Sequence, residues 1–286
     1  METKGMNAPL TGALMEGKKG LIMGVANDRS IAWGIAQVCA AHGAEIAFTY
    51  QGEALQKRVL PLAQSVGSPI VEPCDVTDEA SLDRLFAVIK EKWGKLDFIV
   101  HGIAFSDKTE LDGMYVNTTR ANFLKTMDIS CYSLTAVAQR ALPLMDEGGS
   151  ILTLSYIGAE RVMPHYNVMG IAKAALEASV RYLSVDLGPK NIRVNAISAG
   201  PIKTLAASGI GDFRYIMRWN EINAPLRRNV TTIEVGHSAL YLLSDMGTGM
   251  TGEVLHVDSG YHNIGMMAVE QADAVTDLLS GFVSKQ

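Results

Sequence analysis

Cysteine is scarce in this 286-residue sequence: Cys39, Cys74 and Cys131 are the three present, each alone inside an apolar periodic segment. That scarcity excludes a disulfide framework, and the spacing excludes a zinc-type cluster. No metal site is expected, and the chain reads as a protein of a reduced compartment, the cytoplasm. Long apolar runs are missing as well. No stretch reaches the ~18 uncharged apolar residues of a membrane span, and Met1 to Gly17 lacks the apolar core of a secretion signal. Basic blocks are also absent. With 25 Lys and Arg interspersed among 30 Asp and Glu, for a formal charge of −5, neither nucleic acid nor an anionic membrane is expected as partner. What is there is a chain 48% hydrophobic and 19% charged, enough apolar material to bury a sizeable core.

Apolar β-rich runs alternate with helical patterns. Strands are expected at Leu21 to Ala26, Glu45 to Tyr50, Ile70 to Asp75, Asp97 to Ile103, Ser150 to Tyr156, Arg193 to Ser198 and Glu253 to Asp258. Several are apolar on both faces, as in Ile151-Leu152-Thr153-Leu154, which requires cover on both sides of the sheet. Helical spacing runs through Ile31 to His42, Ala54 to Ser65, Ala80 to Trp93, Thr119 to Met145 and Tyr166 to Leu187. No linker or repeat divides the chain. The expectation is an α/β fold, a single Rossmann-like, doubly wound domain with a parallel sheet of about seven strands and helices on both faces. Residues 1–17 read as a flexible N-terminal tail. Residues 199–228 interrupt the alternation at the carboxyl edge and read as a substrate lid. Residues 262–286 form a C-terminal tail in which Val269, Ala272, Val275 and Leu279 share one helical face, suited to a neighbouring subunit.

The first strand leads into Gly24-Val25-Ala26-Asn27-Asp28-Arg29-Ser30-Ile31 and a helix. A tight turn there lets backbone N–H groups face a pyrophosphate, with Gly24 permitting close approach and Ser30 serving as cap and hydroxyl donor. The usual middle glycine is absent, so an ordinary capped turn remains the alternative. Asp75-Val76 ends the third strand, where a carboxylate accepts from an adenine amino group or merely caps the next helix. After the fourth strand, His101-Gly102-Ile103-Ala104-Phe105 brings small residues to the same edge.

Tyr166 and Lys173 are seven residues apart, about 20° short of two helical turns, so a helix through both puts them on one face. A lysine beside a phenol lowers its pKa and also grips ribose hydroxyls. Spacing alone describes a solvated helix face equally well; what favours chemistry is the position after a buried fifth strand.

Together, the turn at Gly24, Asp75-Val76, Tyr156 with Tyr166 and Lys173, and Asn195 to Thr204 resemble an enoyl-acyl-carrier-protein reductase of bacterial fatty-acid synthesis, within the short-chain dehydrogenase/reductase superfamily. The likeness runs from Leu21 to Gly260. The superfamily's commoner lysine, four residues after the tyrosine, is replaced here by Gly170, whereas the wider spacing with a second tyrosine ten residues upstream is the enoyl-reductase pattern. The resemblance implies that Gly24, Ser30, Ile31, Gln51, Asp75, Val76, Ile103, Lys173, Ile202, Lys203, Thr204, Leu205 and Ala206 line a dinucleotide site. It implies Tyr156, Tyr166 and Lys173 as catalytic residues, Ser106 near the acyl substrate, an enoyl thioester on acyl carrier protein as substrate, and a homotetramer. Gly102 and Ala104 depart from the family's usual Ser and Gly, and the Ala104 methyl is expected to narrow the cavity.

The implied reaction is conjugate reduction of a trans-2-enoyl thioester. Tyr166 is expected to hydrogen-bond the thioester oxygen as charge develops, and Lys173 to orient the ribose. Tyr156 either positions the thioester or takes part in protonating the α-carbon. Phe213, with Tyr215, Ile216 and Met217, is expected along the acyl chain, and Arg214, Arg218, Arg227 and Arg228 form a basic cluster that suits an acidic carrier. In Gln51-Gly52-Glu53, the acid argues for NADH over NADPH; the alternative is that Glu53 sits in the first helical turn, with Lys57 and Arg58 free to reach a phosphate. A carbonyl reductase would want the closer lysine, and a nucleotide-sensing regulator would need neither tyrosine.

Overall fold

The computed structural model describes residues 6–205, 207 and 211–283. Its centre is one parallel sheet of seven strands: β1 (Lys19–Met23), β2 (Glu45–Tyr50), β3 (Ile70–Pro73), β4 (Phe98–His101), β5 (Gly149–Ser155), β6 (Ile192–Ala199) and β7 (Val254–Val257). The strand order is β3-β2-β1-β4-β5-β6-β7, so the winding reverses between β1 and β4. This is the doubly wound fold expected, with its crevice at the reversal.

Side-chain alternation builds two cores from the same strands. Leu21, Met23, Ile99, Ile151 and Val194 point to one face, where α3 (Glu79–Trp93), α5 (Ser133–Ala141) and α6 (Asn167–Leu187) cover them. Ile22, Phe48, Phe98, Val100 and Leu152 point to the other, under α1 (Ile31–Ala41), α2 (Gly52–Ser65) and α8 (Thr232–Leu243). Fully burying each such side chain is worth roughly 1.5–3 kcal/mol. The sheet is therefore a rigid platform for the loops at its carboxyl edge.

Four expectations change. Thr119 to Met145 is not one helix: α4 (Arg120–Met127) runs into a π turn at Asp128–Tyr132 before α5 begins. Between β6 and β7 lie two helices that apolar spacing missed, α7 (Phe213–Asn223) and α8. A capping box starts the second, the Thr231 hydroxyl accepting from the Glu234 amide while the Glu234 carboxylate accepts from the Thr231 amide. From Met6 onward the N-terminal segment is tied down: Gly12 and Met15 donate to Ala41 and His42 carbonyls, and Met15 is fully buried; residues 1–5 lie outside the described residues. In the C-terminal segment, α9 (Ala272–Val283) lies against α7 of its own chain and its Val275 is buried, while Val269 precedes the helix and is 84% exposed.

Candidate active site

The loops after β1 and β4 touch at the winding reversal. Gly24 has φ +94°, and a Cβ there would lie 2.0 Å from the Gly102 carbonyl oxygen, so only glycine fits. Ser30 precedes α1 but does not cap it. Its hydroxyl oxygen accepts instead from the amides of Ala26 and Asn27, at 2.9 and 3.1 Å, and so fixes the turn itself. Ile31 opens α1.

At the neighbouring strand ends the Gln51 amide donates to Asp75 Oδ2 at 2.8 Å, and Asp75 Oδ1 accepts from the amide and hydroxyl of Thr77. Burial would raise the Asp75 carboxyl, but these donors outweigh it and hold it below the usual range. The helix-capping alternative does not apply, because Asp78 caps α3. Gln51, Asp75 and Thr77 line a cavity of about 630 Å³ with Leu124, Lys125, Asp128 and Ile129. The glycine cradle, an ionised acceptor and this cavity fit a dinucleotide. Val76 and Ile103 pack on one core and Ile202 on the other; the Thr204 hydroxyl accepts from the Ala207 amide, and Lys203 and Leu205 are exposed. Ala206 lies outside the described residues.

Tyr156 follows β5 and Tyr166 sits just before α6, so the two tyrosines meet edge to face with centroids 5.1 Å apart. Gly158 makes that possible, since a Cβ there would strike the Tyr166 ring at 2.4 Å. Tyr166 is thus not on the helix face with Lys173; it precedes the helix, between His165 and Asn167, both with positive φ. Nor is its phenol activated as an anion. Burial pushes both phenols up, with Tyr156 and Glu177 adding for Tyr166, and Tyr261 and Asp258 for Tyr156. Each keeps its proton and with it the capacity to donate.

Lys173 is 6% exposed and donates to the Leu154 carbonyl at 2.6 Å. Burial lowers its pKa to about 8, against the opposing pull of Glu177 and Cys131. Beneath it lies His101, held between Thr153 and Ser133 at 3.0 and 2.8 Å and driven down to about 3 by burial and the Lys173 charge. Residue spacing missed His101, and also Glu177, a buried carboxyl raised by burial that accepts from the Ser155 hydroxyl.

Ser106 is buried and turned toward α4, bonded to Asn122 and Thr126 at 3.1 and 2.9 Å; its hydroxyl anchors the loop. Phe213 is the half-buried first residue of α7. The basic cluster is mostly engaged within the chain: Arg228 pairs bidentately with Glu234, Arg218 with Glu221, and Arg227 donates to the Ile222 carbonyl.

A family model described as enoyl-(acyl carrier protein) reductase matches residues 24–262. The chain belongs to the enoyl-acyl-carrier-protein reductase family. It is 70% identical over 260 residues to enoyl-acyl-carrier-protein reductase (NADH) 1 of Rhizobium meliloti, covering 91% of this chain and 96% of that one. It is 56% identical to the Bacillus subtilis reductase (NADH), covering 87% and 97%. Among solved structures, the Anaplasma phagocytophilum reductase in complex with NAD is 63% identical with a TM-score of 0.88, covering 92% of this chain and all of that one. The Bacillus cereus reductase, solved with NADP+ and an indole naphthyridinone, is 53% identical with a TM-score of 0.87, covering 88% and 99%. The paired tyrosines and the buried lysine of this chain follow β5, one strand beyond the winding reversal between β1 and β4.

Proposed function

We propose that this chain is an NADH-dependent enoyl-acyl-carrier-protein reductase of fatty-acid biosynthesis, which saturates the trans-2 double bond of an enoyl thioester. The observation that carries the reading is the buried ring of Tyr166, packed edge to face against Tyr156 and seven residues before the buried Lys173. Bound NADH supplies hydride to the β-carbon. Tyr166 donates to the thioester oxygen as negative charge gathers there, a preorganised donor in a water-poor site. Tyr156 positions the thioester, and Lys173 turns its ammonium to the ribose hydroxyls. Gly24, Ser30, Ile31 and the 202–205 segment hold the phosphates and nicotinamide, and Gln51, Asp75 and Val76 the adenosine. Of the 199–228 region, α7 covers the acyl chain. NADH oxidation followed at 340 nm with crotonyl thioester tests the assignment; a purified chain that oxidises no NADH, or leaves the alkene intact, sinks it.

Glu53 sits in the first turn of α2, exposed, with Lys57 and Arg58 exposed on the same helix. An exposed charge has a small effect. Glu53→Ala is therefore expected to raise kcat/KM for NADPH about two- to threefold and to leave that for NADH unaltered. A wild-type preference for NADPH would reverse this reading of the second strand.

A homotetramer is supported by the outer face of α6, where Ile171, Tyr182 and Val185 are 43%, 78% and 74% exposed at helical spacing. Sedimentation at four times the 30.8 kDa chain mass is the expected result. The three cysteines are free and buried, which suits the cytoplasm, and among the described residues no helix is long and apolar enough to cross a membrane.

A further inference from the structure

Three segments distant in the chain meet at one imidazole. His165 Nδ1 lies 3.3 Å from Asp112 Oδ1, and Nε2 lies 3.3 Å from Asp212 Oδ2. Asp112 belongs to the segment between β4 and α4, Asp212 immediately precedes α7, and His165 immediately precedes Tyr166. The packing is close: a Cβ on Gly211 would come 2.6 Å from the Asp112 carboxylate and 3.2 Å from the imidazole. His165 and Asp212 both hold positive φ, 56° and 52°, which side-chain-bearing residues seldom adopt. On the other side of Tyr166, Asn167 donates to the Leu111 carbonyl at 2.9 Å. The catalytic tyrosine is bracketed by two residues that grip the same segment.

Nδ1 of His165 is shielded from water and makes no hydrogen bond of normal direction, so the Asp112 carboxylate is its compensation. The carboxylates are more open, at 66% and 55% exposure, and contacts of that kind are individually weak. A weak double grip suits a site that must admit and release a long acyl chain.

We infer that His165 is a positioning residue: by gripping Asp112 and Asp212 it holds the start of α7 and the segment after β4 against the tyrosine-bearing turn, and so sets how tightly the acyl thioester is held. The chemical step itself does not use it. The inference rests on the reductase reading of the same site. A carboxylate only accepts, so the ring serves both partners only when both nitrogens carry protons; with one proton, one contact becomes lone pair against carboxylate. Asp112 and Asp212 are the charged groups facing the ring from the two flanking segments. Glu110 is engaged with the Thr119 amide and hydroxyl at 2.9 and 2.8 Å, and the neighbouring Tyr166 phenol stays protonated.

The test has one arm that needs no turnover and one that does. Amide hydrogen exchange on the cofactor-free protein should be several-fold faster in the segments around Asp112 and Asp212 for His165→Ala than for wild type, with the central strands unaltered. In steady state with saturating NADH, His165→Ala should raise KM for the enoyl thioester about three- to tenfold at unchanged or higher kcat, and His165→Asn, which keeps one donor, should recover part of it. Unaltered exchange, or a fall in kcat at constant KM, overturns the inference. A wild type that exchanges as expected yet turns over no enoyl thioester overturns the reductase reading and leaves the grip standing.

Discussion

Tyr166→Phe lowers kcat for an enoyl thioester about a hundredfold and leaves NADH affinity within a factor of about two. One preorganised donor to a developing oxyanion is worth ~3 kcal/mol when water is excluded. The Tyr166 ring is 8% exposed, and burial first, then Tyr156 and Glu177, keeps its proton in place. The deficit should accordingly be the same from pH 6 to 9, where an enzyme working through a phenolate would show a break. Phenylalanine keeps the edge contact with Tyr156 and the van der Waals fit against Gly158, so the melting temperature should barely move. The measurement is kcat under conditions where deuterated NADH shows a primary isotope effect. Full turnover there removes Tyr166 from the chemistry.

Lys173→Met should strengthen the cofactor-free protein and weaken its hold on NADH. The folded-state pKa is about 8 against an ordinary 10.5. Between those values the unfolded chain binds a proton that the folded chain does not, so stability rises with pH across that window. Below about pH 8 the ammonium is charged in both states and its burial is a cost of order 3 kcal/mol. Methionine removes that cost and loses the bond to the Leu154 carbonyl, worth about 1 kcal/mol. A net gain of ~1–2 kcal/mol at pH 7 follows, a rise of a few degrees in Tm. NADH loses a charge-assisted donor to its ribose, an expected ten- to hundredfold increase in Kd. In wild type, NADH affinity should begin to fall above pH about 8, as the ammonium disappears, and the methionine variant should show no such fall. Thermal melts and NADH fluorescence titrations check both halves; a variant less stable than wild type that binds NADH equally well contradicts them.

Strands are legible in this chain because their signal is local. Glu45–Tyr50 occupies the expected residues, since a continuous buried run from Ile46 to Thr49 is written within six positions. β1 starts earlier than expected, at Lys19, because its first residues pair with β2 and β4 in spite of their polarity. The family resemblance singles out the tyrosines and Lys173, whereas spacing places Tyr166 and Lys173 on one helix face; the chain instead breaks at His165 and Asn167, outside α6, and sets the Tyr166 ring against Tyr156. α8 announced itself only through Thr231 and Glu234, as its apolar face is interrupted by Gly236 and His237. What joins His165 to Asp112 and Asp212, or His101 to Ser133, has no local signature, because each partner arrives from a separate element of the sheet edge.

The π turn between α4 and α5 places one serine on the end of β4 and another on the loop that follows it. Ser130 holds the Phe105 amide and carbonyl, at 2.9 and 3.1 Å, and Ser133 holds His101. Removing one residue from the turn would restore an unbroken α-helix and rotate everything beyond it by about 100°. Ser133 would then swing away from the sheet while Ser130 stayed, and the segment after β4 would be held at one end only. Over evolutionary time this stretch should accept replacements of residue type far more readily than changes of length: the count of residues between the two serines sets the loop's shape as a tooth count sets a gear.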